Sequence, residues 1–264
     1  YTSDYIESVW NIIKTIHERG LIYKDYKVVP WCPRCGTALS SHELAQGYKD
    51  VKDLSVYVKF KLVHEENTFV LAWTTTPWTL PGNVALAVGK DVEYIKVKKE
   101  GETLILAKER LSAFPDLKDG VSEEIKGSEL VGKQYEPLYP YLQENLAQDQ
   151  KEKLGNAFKI YDANFVTTAD GTGVVHTAVM YGQDDFELGT RVGLPKHHLV
   201  GTDGNFLANV GPFSGRFVKD EDVAVDVIKD LAGRGLLFHK EKHEHSYPFC
   251  WRCSTPLIYY ARDS

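Results

Sequence analysis

All four cysteines of the chain fall in two Cys-x-x-Cys pairs, Cys32-Pro33-Arg34-Cys35 and Cys250-Trp251-Arg252-Cys253. A two-residue spacer closes a tight turn that points both sulfurs at one centre, and two such knuckles supply the four thiolates of a tetrahedral zinc site. A redox dithiol, two disulfides and unrelated buried thiols are the other readings, although a cytosolic chain rarely keeps structural disulfides. Zinc on Cys32, Cys35, Cys250 and Cys253 is the expected cofactor. Its role is structural, because four thiolates leave no coordination position for water and any hydrolysis must occur elsewhere.

Two further stretches carry residues suited to chemistry. In Trp73-Thr74-Thr75-Thr76-Pro77-Trp78-Thr79-Leu80-Pro81-Gly82-Asn83, hydroxyls gather where a strand-like run meets two prolines. Alternate strand residues share a face, so Thr74 and Thr76 point the same way, and local hydroxyl-to-backbone bonds would stiffen the turn. A β-favouring run ending at a proline turn explains the same letters without chemistry. Downstream, Asp170-Gly171-Thr172-Gly173-Val174-Val175-His176-Thr177-Ala178 precedes Tyr181-Gly182-Gln183-Asp184-Asp185-Phe186. Gly171 and Gly173 admit a close ligand, and a strand then delivers His176. Asp184 and Asp185 stand at a helix start, where ionised carboxylates are favoured and could grip an ammonium group or orient a water. Helix capping explains one of these acids equally well, and a lone strand histidine is commonly a hydrogen-bonded core residue. An aspartic-type dyad fits poorly, since adjacent residues at a helix start do not face each other.

The elements that must position these groups read as an α+β, mainly β, fold. Apolar residues at Tyr5, Ile6, Val9, Trp10, Ile12, Ile13 and Ile16 predict an amphipathic packing helix over Ser3 to Arg19, stopped by Gly20. From Val56 the period becomes two, predicting a meander of strands through Leu62 and at 68–73, 84–88, 92–98 and 103–107. Later strands are expected at 158–161, 173–177 and 197–200, and helices at 184–192 and 222–231, ended by Gly193 and Gly233. The order suggests a barrel-like sheet. The segment 139–154 reads as an exposed connection. The cysteine pairs lie more than two hundred residues apart, so one shared zinc would join the chain's ends and enclose the middle as an insertion. The expected division is 1–49, a helix with the first half of a zinc-ribbon module; 50–215, the core; and 216–264, a helix with the second half. Hinges are expected near 47–53 and after Phe213-Ser214-Gly215.

With 264 residues, 43% hydrophobic and 26% charged, the chain falls outside the disordered and membrane classes. It has no apolar run long enough to span a bilayer and no signal-like start, so a cytoplasmic setting without a membrane partner is expected. It begins at Tyr1 and stops just after Leu257-Ile258-Tyr259-Tyr260, and is expected to be cut from something longer. A net charge of -6 excludes broad counterion-release binding to nucleic acid. Any RNA contact must be local, with Lys96, Lys98 and Lys99, or Lys196, His197 and His198, as the small basic clusters at hand.

Taken together, W-T-T-T-P-W-T-L-P-x-N, G-T-G-V-V-H-T-A, G-x-D-D and a Cys-x-x-Cys at each end resemble the connective-peptide editing domain of isoleucyl-tRNA synthetases. The resemblance covers essentially the whole chain, including the flanks Lys27–Thr37 and Cys250–Leu257. Valyl and leucyl relatives carry an arginine after the threonines, where this chain has Thr76-Pro77-Trp78. Val179 stands where the family often has proline. The resemblance implies a barrel-like editing domain of the Val/Ile/Leu type that hydrolyses the ester of mischarged Val-tRNA(Ile). It implies that Asp185 binds the α-amino group and that His176 and Trp78 wall the side-chain pocket. Thr75, Thr76 and Asn83 would hold the terminal adenosine and the attacking water, with Thr74, Gly173 and Asp184 beside them. The implied partners are the 3′ end of tRNA(Ile) carrying a misattached amino acid and the catalytic domain of the parent synthetase. The H-I-G-H and K-M-S-K-S signatures of amino-acid activation are absent. The rival expectation is a non-catalytic zinc-ribbon module that docks RNA or a neighbouring domain.

Overall fold

The computed structural model describes residues 2–264. In chain order its main elements are α1 (Ser3–Glu18), β1 (Tyr26–Cys32), β2 (Thr37–Ala38), α2 (Ser41–Ala45), β3 (Tyr48–Lys61), β4 (Thr68–Thr74) and β5 (Ala85–Val88). These are followed by β6 (Glu93–Lys99), β7 (Glu102–Ala107), β8 (Val121–Lys126), α3 (Gly127–Leu130), α4 (Tyr141–Asn145) and α5 (Gln148–Lys151). The last six are β9 (Lys159–Asp162), β10 (Val174–Thr177), α6 (Gln183–Val192), α7 (Glu221–Gly233), β11 (Leu237–Pro248) and β12 (Ile258–Asp263).

The strands form a mixed sheet that curls into a half-barrel, with β12, β1 and β2 as a separate three-stranded sheet. β4 is its centre. One edge pairs antiparallel with β3; the other is shared by β7 at Thr68–Val70 and β10 at Trp73, both parallel. The simple meander is thus corrected: β5 also pairs in parallel with β9. Gly171 and Gly173 make the fork possible. Both have left-handed backbones, with φ of 66° and 72°. A Cβ on Gly173 would stand 2.4 Å from that of Ala107, and one on Gly171 2.8 Å from the Trp73 ring. Only glycine fits at this crossing.

β3 outruns the half-barrel. Most of its length runs as an antiparallel ribbon with β11, from Tyr48 opposite Pro248 to Val58 opposite Leu237, so the ribbon's far end lies beside Cys250. α7 buries Val223, Val227, Ile228 and Leu231 at helical spacing in the same core as Val56, Val58, Phe60, Leu86 and Val174.

The predicted helix α1 forms, with the Thr2 hydroxyl accepting from the Tyr5 N–H, but its packing role is not filled among the described residues. Ile6, Val9, Trp10, Ile12 and Ile13 stay exposed. The segment 139–154 folds into short helices and buries Tyr139, Leu142 and Leu146, so it is not an exposed connection. No strand forms at 197–200, because the Leu199 and Val200 N–H groups donate to the Tyr181 hydroxyl at 2.8 and 3.0 Å. No helix among the described residues is long and apolar enough to cross a membrane.

Candidate functional site

The two cysteine knuckles meet. Cys32 and Cys253 sulfurs lie 3.5 Å apart, Cys35 and Cys250 4.0 Å, and all four within 4.8 Å of one another. Four sulfurs about 2.3 Å from one tetrahedral ion would stand about 3.8 Å apart, so the cluster fits a metal. All four are free thiols. The Cys35 N–H donates to the Cys32 sulfur at 3.4 Å. The two knuckles match in their backbones, because the residue after each second cysteine, Gly36 and Ser254, is left-handed with φ of 64° and 58°.

The threonine turn forms a second cluster, built inward. Thr74 ends β4, and Pro77–Gly82 wind as a 3₁₀ segment. The Thr76 hydroxyl lies 3.1 Å from that of Thr74 and 3.4 Å from that of Thr79, which donates to the Thr76 carbonyl at 2.8 Å. Strand β10 brings His176 to Thr79, with Nε2 2.8 Å from its hydroxyl, while Nδ1 lies 2.9 Å from the Asn83 amide nitrogen. The same amide nitrogen donates to the Ala85 carbonyl at 3.0 Å, and its oxygen accepts from the Tyr135 hydroxyl at 2.7 Å. These partners assign the tautomer: Asn83 donates to Nδ1, so Nε2 carries the hydrogen. Burial holds the His176 pKa down to about 3. At neutral pH it is an uncharged ring with both nitrogens engaged, unsuited to moving protons.

Sequence reasoning missed Thr79 and Tyr135. Thr79 stood inside the quoted motif, three residues after Thr76. Tyr135 carried no signal, and it becomes a donor only because the fold buries it fully against Asn83.

The remaining candidates sit around this network. Thr75 and Trp78 line an outward cleft with Leu54, Lys219 and Asp220. The Trp78 ring packs edge-on against Tyr181 at 5.3 Å, and its buried indole N–H has no partner among the described residues. Asp185 folds back over the turn that follows β10, accepting from the Ala178 N–H at 3.3 Å. Burial pushes its pKa up to about 7, against the pull of that N–H. The structure does not join Asp184 to the threonines: it lies exposed in a different depression, with Asn164 and Arg191. Gly173 meets Ala107, and Asn83 is buried behind three bonds to protein groups. Of the basic clusters, Lys96 pairs with Glu123, Lys196 lies over the Phe186 ring and His198 stacks on Tyr260.

Residues 2–260 match the profile of the class I tRNA synthetases (I, L, M and V). The chain belongs to that family. It is 50% identical over all 264 residues to an isoleucine–tRNA ligase of Clostridium novyi (strain NT), and 50% identical over 260 residues, 98% of the chain, to one of Bacillus thuringiensis (strain Al Hakam). The chain spans 24% of the length of each. The crystal structure of GlLeuRS-CP1 shares the fold, with a TM-score of 0.54 at 15% identity, covering 72% of this chain and 99% of that one. The isoleucyl resemblance and the editing-type fold read from the motifs are both borne out.

Proposed function

We propose that this chain is a post-transfer editing unit that hydrolyses the aminoacyl ester of Val-tRNA(Ile). The observation that carries the reading is the continuous network Thr74–Thr76–Thr79–His176–Asn83–Tyr135 beside the Asp185 turn. A synthetic pocket rejects valine by one methylene, worth about 1–3 kcal/mol, a general figure for which the isoleucyl enzymes are the standard case. A second pocket must then exclude isoleucine by size, and it needs a wall that does not yield. His176, clamped at both nitrogens, supplies that wall, with Trp78 as the second. Asn83 acts as a positioning residue for His176.

Asp185 takes the α-ammonium group. In the empty site its raised pKa keeps the carboxyl part-protonated near neutrality, and an arriving ammonium favours the carboxylate. The Thr75 and Thr76 hydroxyls orient the water and the terminal ribose. The ester is already activated, so orientation and stabilisation of the developing oxyanion are sufficient without a covalent nucleophile. Zinc on the four cysteines holds the knuckles. The unit works in the cytoplasm, with the 3′ end of tRNA(Ile) and the synthetase's catalytic domain as partners. Incubating the chain with Val-tRNA(Ile) and Ile-tRNA(Ile) tests the reading: loss of the valyl ester alone supports it, and survival of both esters favours a docking module.

A further inference from the structure

An ester-hydrolysing site on an RNA end must receive a single strand, and the outer face of β3, β4 and β11 carries a row of rings that leads to Thr75. Register builds the row. Tyr57 of β3, itself buried and serving as the floor of the row, stands opposite His239 on one side and Trp73 on the other, with ring centroids 5.6 and 6.3 Å apart. Strand alternation places His243 and His245 on that same face. His243 sits edge-on to Trp73 at 5.2 Å, and His245 follows at 5.6 Å. Beyond Tyr57 the row opens into a groove lined by Phe114, Arg110 and Lys99. At the other end, alternation carries Trp73 to Thr75 and the cleft shared with Trp78 and Lys219.

Two properties mark the strip as a binding surface. Among the described residues the buried Trp73 indole N–H has no partner, and the imidazoles of His239, His243 and His245 lie wholly or partly exposed on the face above Tyr57. Its charges nearly balance, with four lysine or arginine side chains set against five carboxylates in the groove and the cleft together. Such a strip cannot hold RNA by counterion release, whereas stacking of bases on rings needs no net charge. Arg110 spends its Nε and Nη1 hydrogens on the Gly171 and Ala169 carbonyls, at 2.9 and 2.6 Å, which leaves Nη2 to meet a phosphate.

We infer that this strip is a stacking track for the nucleotides preceding the terminal adenosine of a single-stranded RNA end, delivering that adenosine to Thr75. The occupant rests on the editing reading, but the test separates the two. The whole chain is titrated, by fluorescence anisotropy, into a 5′-labelled single-stranded RNA hexamer ending in CCA and into the same hexamer with abasic sugars. The intact strand binds about tenfold or more tightly than the abasic one, and Phe114→Ala, His243→Ala and the exposed His239→Ala each weaken it about tenfold. Log affinity falls with log salt at a slope shallower than about −2. The same variants hydrolyse 3′-O-valyl adenosine, which lacks the preceding nucleotides, at the parent rate. Equal binding of the abasic strand, or unchanged binding by all three variants, overturns the track. Failure of the parent chain to hydrolyse valyl adenosine overturns the editing reading, while the anisotropy still decides the track.

Discussion

The cysteine cluster and the threonine–histidine network both gather residues from distant parts of the chain, yet one is held by hydrogen bonds between protein groups and the other presents four sulfurs suited to one metal ion. In the network each imidazole nitrogen and each Asn83 amide atom has a protein partner. In the cluster the four sulfurs lie within 4.8 Å of one another, a donor set that fits one tetrahedral ion. A satisfied network specifies its own geometry, whereas a ring of thiols does so only when an ion holds it. The first is suited to shaping a pocket and the second to clamping chain ends.

The largest expected effect falls on the cysteine cluster. A strong chelator, or Cys253→Ser, should release one zinc per chain and cost several kcal/mol locally. Hydrogen exchange checks this: β1 and β12 lose protection while β4 and β10 keep theirs. Loss of protection in both places would show that the clusters are not independent. On the other side, His176→Ala leaves a cavity and orphans Thr79 and Asn83. That should cost about 2–4 kcal/mol in denaturant melts and open the pocket enough for hydrolysis of the isoleucyl ester. An intact Ile-tRNA(Ile) with this variant would remove His176 from the pocket wall.

A smaller effect separates the two titrating groups near the network. His176 has a folded pKa near 3, below its ordinary 6.5, so its contribution is fully present above about 6.5 and is lost as pH falls toward 3. Asp185 is raised from 3.8 to about 7, so its contribution is present below about 3.8 and is lost as pH rises through 7. Between about pH 4 and 6.5 the two slopes oppose each other, each at most about 1.4 kcal/mol per pH unit. Stability should therefore be nearly flat in the parent, rise with pH in Asp185→Asn and fall with pH in His176→Gln. Identical slopes in all three would contradict the burial argument. The smallest effect is Ser254→Gly, which relieves a left-handed serine where the matching knuckle already has Gly36 and should add about 0.5–1 kcal/mol.

The cysteine cluster was legible from spacing because two sulfurs can face one centre only through a short turn. The half-barrel's first strands were legible because Val56, Val58 and Phe60 alternate into one core. β11 was not, since His-Lys-Glu-Lys-His-Glu-His sets polar residues on both faces, and pairing with β3, not burial, makes it a strand. The parallel pairings of β4 depend on glycines at 171 and 173, whose crowding against Trp73 and Ala107 no local pattern announces. At the site, Thr74, Thr76, His176 and Asn83 were read as candidates, but the link between the threonine pair and the His176–Asn83 pair runs through Thr79, and Tyr135 braces Asn83; both are residue types with many ordinary uses. Asn83 consequently reads as a support for His176, and Asp184, though next to Asp185 in the first turn of α6, lines a different depression from the threonines.

The central claim is that the Asp185 carboxyl organises ester hydrolysis on this chain. Deacylation of Val-tRNA(Ile), measured with chain in excess for the zinc-loaded parent and for Asp185→Ala with matched melting curves, tests it most directly. Rapid loss of the valyl ester with the parent and at least a hundredfold slower loss with the variant are expected. Equal rates from the two folded proteins would contradict it.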